Sequence, residues 1–307
     1  HGAILSYLSL KKENFYMVEN TVDGKFFVTA RGWEDLSEIL KSYEELQVEI
    51  GEELIGEFLQ KEEIARDFAG YYRLYEKYKS DYQIQEILDG NVISGQLKTC
   101  CDMGKKASFE ERFTVTEMLL EAVTERISVF QKIDEKTEKL YENLKLLKIF
   151  LQEKNSVEAM EQFVASRRKA LDAKICSELL TAEEAAREEE QIRILEEYFF
   201  QLKELHISDV AEGIEQIGER FGNVCRLRNE KLEETKKMLE QAFSFLEECF
   251  GEGQELLLFE TGLTGDDRCS IFISQYGCPS YFKHCELLLY SKKENELRKE
   301  CRDLLEE

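Results

Sequence analysis

A single proline in 307 residues, seventeen glycines and no uninterrupted apolar run of membrane-spanning length set the first limits on this chain. Collagen-like and linker-like chains need far more Pro and Gly. A bilayer-crossing helix needs roughly 18–20 consecutive apolar residues, so the sequence predicts no membrane span. Basic residues are also scarce, with 41 Lys and Arg against 64 Asp and Glu, for a formal charge of −23. A diffusely acidic surface repels phosphate backbones and anionic lipid, which excludes the usual electrostatic basis for nucleic-acid or membrane-surface binding. Histidine occurs three times and tryptophan once, leaving little material for a histidine-based catalytic centre.

The nine cysteines, at 100, 101, 176, 225, 249, 269, 278, 285 and 301, follow no framework spacing. This pattern predicts reduced thiols in a cytoplasmic protein. The opening residues Ala3-Ile4-Leu5-Ser6-Tyr7-Leu8 form an apolar helix-like run with no cap before it, which reads as a cut through a longer protein.

Hydrophobic periodicity is overwhelmingly helical, and the expected fold is mainly α. Residues 3–10 suit the tail of a helix. Phe15-Tyr16-Met17-Val18 and Phe26-Phe27-Val28 flank an Asp23-Gly24 step, a β-hairpin signal. Trp33, Leu36, Leu40 and Tyr43 then repeat at three and four, with Gly51 expected to end or bend that helix. A short helix around Leu54–Leu59 and a third over 62–78 follow, and Asp89-Gly90-Asn91 reads as a stop. Residues 91–108 are weakly patterned and read as a connection. From Phe109 to Leu151 a three-or-four spacing continues without Gly or Pro, predicting a long helix. Helices are expected over 157–180, 181–205 and 210–250, with Asn155-Ser156 as a break and Thr181-Ala182-Glu183-Glu184 as a start. Leu256–Phe259 is too short to assign by period. Asp266-Asp267 is placed to cap a helix, Gly277-Cys278-Pro279 to turn, and a last helix to run from Ser280 towards Leu305. The resulting division is a small helical domain with a hairpin at 1–90, a long helical arm or bundle at 91–250, and a tail at 251–307 that packs on one of them.

No phosphate cradle is present. A Walker loop needs Gly, four residues, then Gly-Lys-Ser/Thr, whereas Gly24-Lys25 precedes Phe26 and Gly104-Lys105 precedes Lys106. This chain alone is not expected to hydrolyse ATP. Cys269, Cys278, His284 and Cys285 are soft ligands within one stretch, but the spacing suits no tetrahedral zinc site and they read as packed thiols. Adjacent Cys100 and Cys101 read as a buried pair rather than a redox couple. His206 and His284 have no companion nucleophile in the sequence pattern. Tyr71, Tyr72, Tyr75, Tyr78 and Tyr82 fit core packing with hydroxyls at the rim better than a partner face. The runs Glu183-Glu184 and Glu188-Glu189-Glu190 read as solvated helix faces.

The informative stretch is Phe27-Val28-Thr29-Ala30-Arg31-Gly32-Trp33-Glu34-Asp35-Leu36-Ser37. It resembles the second-sensor segment of the MoxR branch of AAA+ ATPases, and Ala3–Leu8 is similar to the lid-helix tail of that group. Ala30 stands where the family commonly has Pro, and Gly2 where a helix-starting Pro is usual. The resemblance spans about residues 1–50 well and 51–90 loosely, and does not reach 91–307. It implies that Arg31 is a cofactor-binding residue that senses the γ-phosphate of nucleotide held by an upstream domain, and that Trp33 anchors a lid. It further implies ATP and Mg in the full-length protein only, ring assembly, and a client protein of the kind that carries a von Willebrand factor A domain. The P-loop, acidic Mg²⁺ motif, first sensor and arginine finger would lie upstream. The alternative is a non-enzymatic acidic helical scaffold or adaptor.

Overall fold

A computed structural model describes residues 1–21, 24–90, 94–151 and 155–289. It is mainly α, with 84 % helix and one two-stranded antiparallel sheet. The chain divides into two compact units. One comprises residues 1–127 with the described residues from 236 on, and the other comprises 128–235.

The first unit opens with α1 (Gly2–Leu10) and a short 3₁₀ turn (Lys12–Phe15), followed by β1 (Met17–Thr21) and β2 (Gly24–Val28). The strands pair from Met17↔Val28 to Thr21↔Gly24, so the expected hairpin is present; Val22 and Asp23 lie outside the described residues. Then come α2 (Ala30–Glu45), α3 (Glu52–Phe58), α4 (Glu62–Tyr82), α5 (Ile84–Asp89) and α6 (Ser94–Gly104). Helix α2 buries Trp33, Leu36 and Leu40, the stripe that its spacing predicts. It ends before Gly51: Gln47 takes a left-handed conformation (φ 55°), and Gly51 instead caps the start of α3. Helix α4 similarly runs four residues past its expected end, to a left-handed Gln83. Gly90 closes α5 at φ 67°, the backbone turn that glycine adopts without steric cost.

Helix α6 corrects the reading of 91–108 as a connection. Gly95, Gly104 and Lys98 dilute its period, yet Cys100 and Cys101 are buried by it. Helix α7 (Phe109–Phe150) is continuous over 42 residues, as its unbroken spacing predicts. After α10 (Val210–Phe250) come α11 (Gln254–Gly265), α12 (Asp267–Tyr276) and α13 (Pro279–Leu289). The ambiguous Leu256–Phe259 run is helical, within α11. Asp266 caps α12 by accepting from the backbone N–H of Arg268 and Cys269. The part of the last expected helix beyond Leu289 lies outside the described residues.

The second unit combines the C-terminal part of α7 with α8 (Ser156–Cys176), α9 (Ala182–Glu204) and the N-terminal part of α10. Asn155 caps α8, and Thr181 with Glu184 forms a reciprocal capping box on α9. A single apolar cluster holds the four helices together, with Leu140, Leu147, Met160, Phe163, Leu195 and Leu202 at its centre. Among the described residues no helix is long and apolar enough to cross a membrane.

The cysteines depart from expectation. Cys101 and Cys249 form a disulfide, so the prediction of uniformly reduced thiols is corrected. Cys100, Cys176, Cys225, Cys269, Cys278 and Cys285 are free. The pairing joins residues 148 apart in sequence, and no local spacing signals such a bond.

Candidate functional site

The segment around Arg31 is built on a rigid base. Thr29 is extended, and its hydroxyl accepts from the N–H of Gly32 at 3.2 Å, fixing the first turn of α2. A Cβ on Gly32 would lie 2.7 Å from the carbonyl oxygen of Phe58, so only glycine lets α2 start this close to the end of α3. Trp33 is buried, with its indole N–H donating to the Asn14 carbonyl at 3.3 Å. Its ring meets Phe68 edge-on at 5.2 Å and Tyr7 at 5.8 Å. This places Trp33 as a core anchor of the module.

Arg31 itself is 87 % exposed. Its Nε lies 3.6 Å from the Asp35 carboxylate one turn on, a loose pairing across solvent. The guanidinium therefore projects from a fixed helix start whose N-terminal amides already favour anions. The neighbouring hairpin carries Tyr16, Val18 and Phe27, all exposed, with Val18 and Phe27 directly opposite in the register. The hollow between α3 and α4, about 680 Å³, is lined by Glu52, Glu53 and Glu62, so its own charge disfavours a phosphate.

The tyrosines do not form a partner face. Tyr72, Tyr75 and Tyr82 are buried, and their hydroxyls donate to Glu44 (3.0 Å), Glu121 (3.2 Å) and Glu111 (2.9 Å). Tyr71 donates to Ser6 at 2.8 Å, and Tyr7 to Asp67 at 2.7 Å. These bonds connect helices that are distant in sequence and fix the module's packing. Burial of Glu44 acts to raise its pKa, but hydrogen bonds and charge from His1 and Lys79 win and hold the carboxyl down to about 2. Glu117 and Glu121 go the other way: desolvation pushes both up, and each carries a carboxylate neighbour that adds to the shift. Sequence reasoning missed these two acids, because nothing in their helical context shows which face of α7 is covered.

The soft-ligand stretch is dispersed. Cys269 faces Thr124 at 3.5 Å, Cys278 donates to Glu240 at 3.2 Å, and His284 stacks on Phe243 with a ring nitrogen 2.5 Å from Glu247. Burial pushes the Cys269 thiol up to about 11 and that of Cys278 up to about 12, which keeps both in the thiol form. Among the described residues no three His, Cys, Asp or Glu side chains come together as metal ligands. His206 sits exposed in a left-handed turn after α9.

Comparison with known proteins finds no matching family model, no similar curated protein and no similar solved structure.

Proposed function

We propose that this chain is the lid and helical extension of a MoxR-like AAA+ ATPase, which couples the nucleotide state sensed by Arg31 to remodelling of a partner protein. The observation that carries the reading is Arg31 itself: a permanently charged, bidentate group on a capped helix start, 87 % exposed and held only loosely by Asp35. A guanidinium engaged in a structural ion pair is normally drawn down onto its carboxylate at 2.7–2.9 Å. This one is left free to meet a phosphate supplied from elsewhere. Bound ATP with Mg would supply the terminal phosphate whose loss the lid registers. The residues of this chain contribute the charge at Arg31 and the stiff base formed by Gly32 and Trp33. On this reading the full-length protein is cytoplasmic and assembles as a ring, and it acts on a client of the kind that carries a von Willebrand factor A domain.

The test is ATP turnover by the polypeptide that joins this chain to its nucleotide-binding domain. Arg31→Ala lowers turnover or its coupling to client release by ten-fold or more, the scale of one lost charge-assisted contact to phosphate. Arg31→Lys recovers part of it, and the melting midpoint is unchanged. Unaltered kinetics in Arg31→Ala would remove the assignment.

A second reading, a non-enzymatic acidic scaffold, draws on a different observation. The second unit has its own apolar core, yet where α8 ends it exposes two apolar side chains one turn apart, Ile175 at 49 % and Leu179 at 72 %. Exposed apolar side chains on a self-sufficient bundle fit protein docking. Partner binding that is indifferent to nucleotide and to Arg31→Ala would favour it.

A further inference from the structure

We infer that the Cys101–Cys249 bond is a reversible thiol–disulfide switch: reduction by a dithiol releases α6 from the C-terminal end of α10 and loosens the unit to which both belong. Cys101 lies in the last turns of α6 and Cys249 in the last turn of α10, and both are buried. The two helices approach closely beside the bond. A Cβ on Gly104 would sit 2.8 Å from the Phe250 ring, so glycine is what admits that ring. Cys100, the immediate neighbour, does not compete for the partner. Its thiol donates to the carbonyls of Asp81 and Tyr82, and burial pushes its pKa up.

One feature points to reversibility rather than a permanent staple, and a second sets how much the bond controls. First, the bond is accompanied by six free cysteines among the described residues, including exposed Cys176 and half-buried Cys225. An oxidising compartment would pair or scramble such thiols, and disulfides that form among free thiols in a reducing one are typically transient and redox-sensing. Second, the 148-residue separation encloses, in sequence, all of residues 128–235. One bond therefore closes the covalent circuit from which the whole second unit is strung, and long loops are where closure changes chain entropy most.

The reaction balances as ordinary exchange. Two electrons and two protons pass from the dithiol; the Sγ–Sγ bond breaks; Cys101 and Cys249 become thiols; and the reductant closes to its own disulfide. A low-molecular-weight disulfide reverses it.

The experiment equilibrates the purified chain in mixtures of reduced and oxidised dithiothreitol, alkylates it after acid quench and unfolding, and counts modified cysteines by mass. The oxidised form should show two fewer alkylated sites than the nine of the reduced form, with the peptides of Cys101 and Cys249 joined. Reduction under native conditions should lower the melting midpoint by roughly 5–15 °C. The Cys101→Ser/Cys249→Ser double variant should melt near the reduced wild type and ignore redox state, which separates loss of the bond from a failure to fold. The proposal is overturned by nine alkylated cysteines in oxidised buffer, by a bond that native protein keeps in excess dithiothreitol, or by a midpoint that does not move. None of these outcomes depends on Arg31, so the redox and nucleotide readings stand or fall separately.

Discussion

The two units reach stability by different routes. Around α4 the first unit ties its elements together with aromatic rings whose hydroxyls end on carboxylates: Tyr7 on Asp67, Tyr72 on Glu44, Tyr75 on Glu121 and Tyr82 on Glu111. The second unit relies on one apolar cluster, in which Phe163 packs among Leu140, Leu147, Leu195 and Leu202. Its charges stay outside that core, as in Arg168–Glu196 at 2.7 Å and Lys136–Glu190 at 2.5 Å. Hydrogen bonds to ionised acceptors are directional and specify one arrangement, whereas apolar burial is non-directional and tolerates adjustment. The region that carries Arg31 is thus the one whose geometry is most narrowly specified and most exposed to pH.

That contrast is open to direct attack. The largest expected effect comes from the two cores. Phe68→Ala removes the ring shared by Tyr7, Trp33 and Tyr72 and should cost about 3–5 kcal/mol, while Leu195→Ala should cost about 2–5 kcal/mol. If the units are independent in stability, chemical denaturation followed by hydrogen exchange will show each loss confined to its own unit. Equal losses in both would mean that the chain unfolds as one.

Acid comes next. The Glu44 carboxyl, usual value 4.5, is held down to about 2 in the folded chain. A lowered folded pKa gives stability that is complete above the unfolded value and is lost as pH falls from about 5 towards 2. Allowing for solvent screening of this half-exposed group, the loss is about 2 kcal/mol. Glu44→Gln should flatten that limb of the stability profile. The raised pKa values of Glu117 and Glu121 act in the opposite sense: their contribution is present in acid and is lost as pH rises through their folded values. Glu117→Gln should therefore raise the midpoint at neutral pH and leave it unchanged near pH 4.

The smallest effect belongs to the second unit. Thr181→Ala removes the hydroxyl half of the α9 capping box and leaves the backbone N–H of residue 181 donating to Glu184; it should lower stability by about 1 kcal/mol, with no pH dependence between 6 and 8. Differential scanning calorimetry on the variant suffices.

The sequence announces its helices where local chemistry is self-contained. Thr181 with Glu184, Asn155 before Ser156, Asp266 before Asp267, and the unbroken spacing of 109–150 are local signals, and each corresponds to an observed cap or helix. Legibility fails where tertiary structure decides. Helix α6 is held by buried cysteines rather than by an apolar stripe. The ends of α2 and α4 fall at Gln47 and Gln83, residues with no special turn preference. That 1–127 closes with residues beyond 236, through a cysteine pair among others, has no local signature at all. At the candidate site, the position of Arg31 at a helix start could be read from Thr29 through Trp33, whereas its looseness from Asp35 is set by side-chain conformation, which sequence does not carry.

The missing Cβ at residue 32 has a mechanical corollary. With the Phe58 carbonyl seated against the backbone there, the start of α2 cannot tilt towards the end of α3 without pushing it. A shift of that helix start in this direction is thereby handed on to a second helix, and any residue larger than glycine would act as a wedge that disengages that gear.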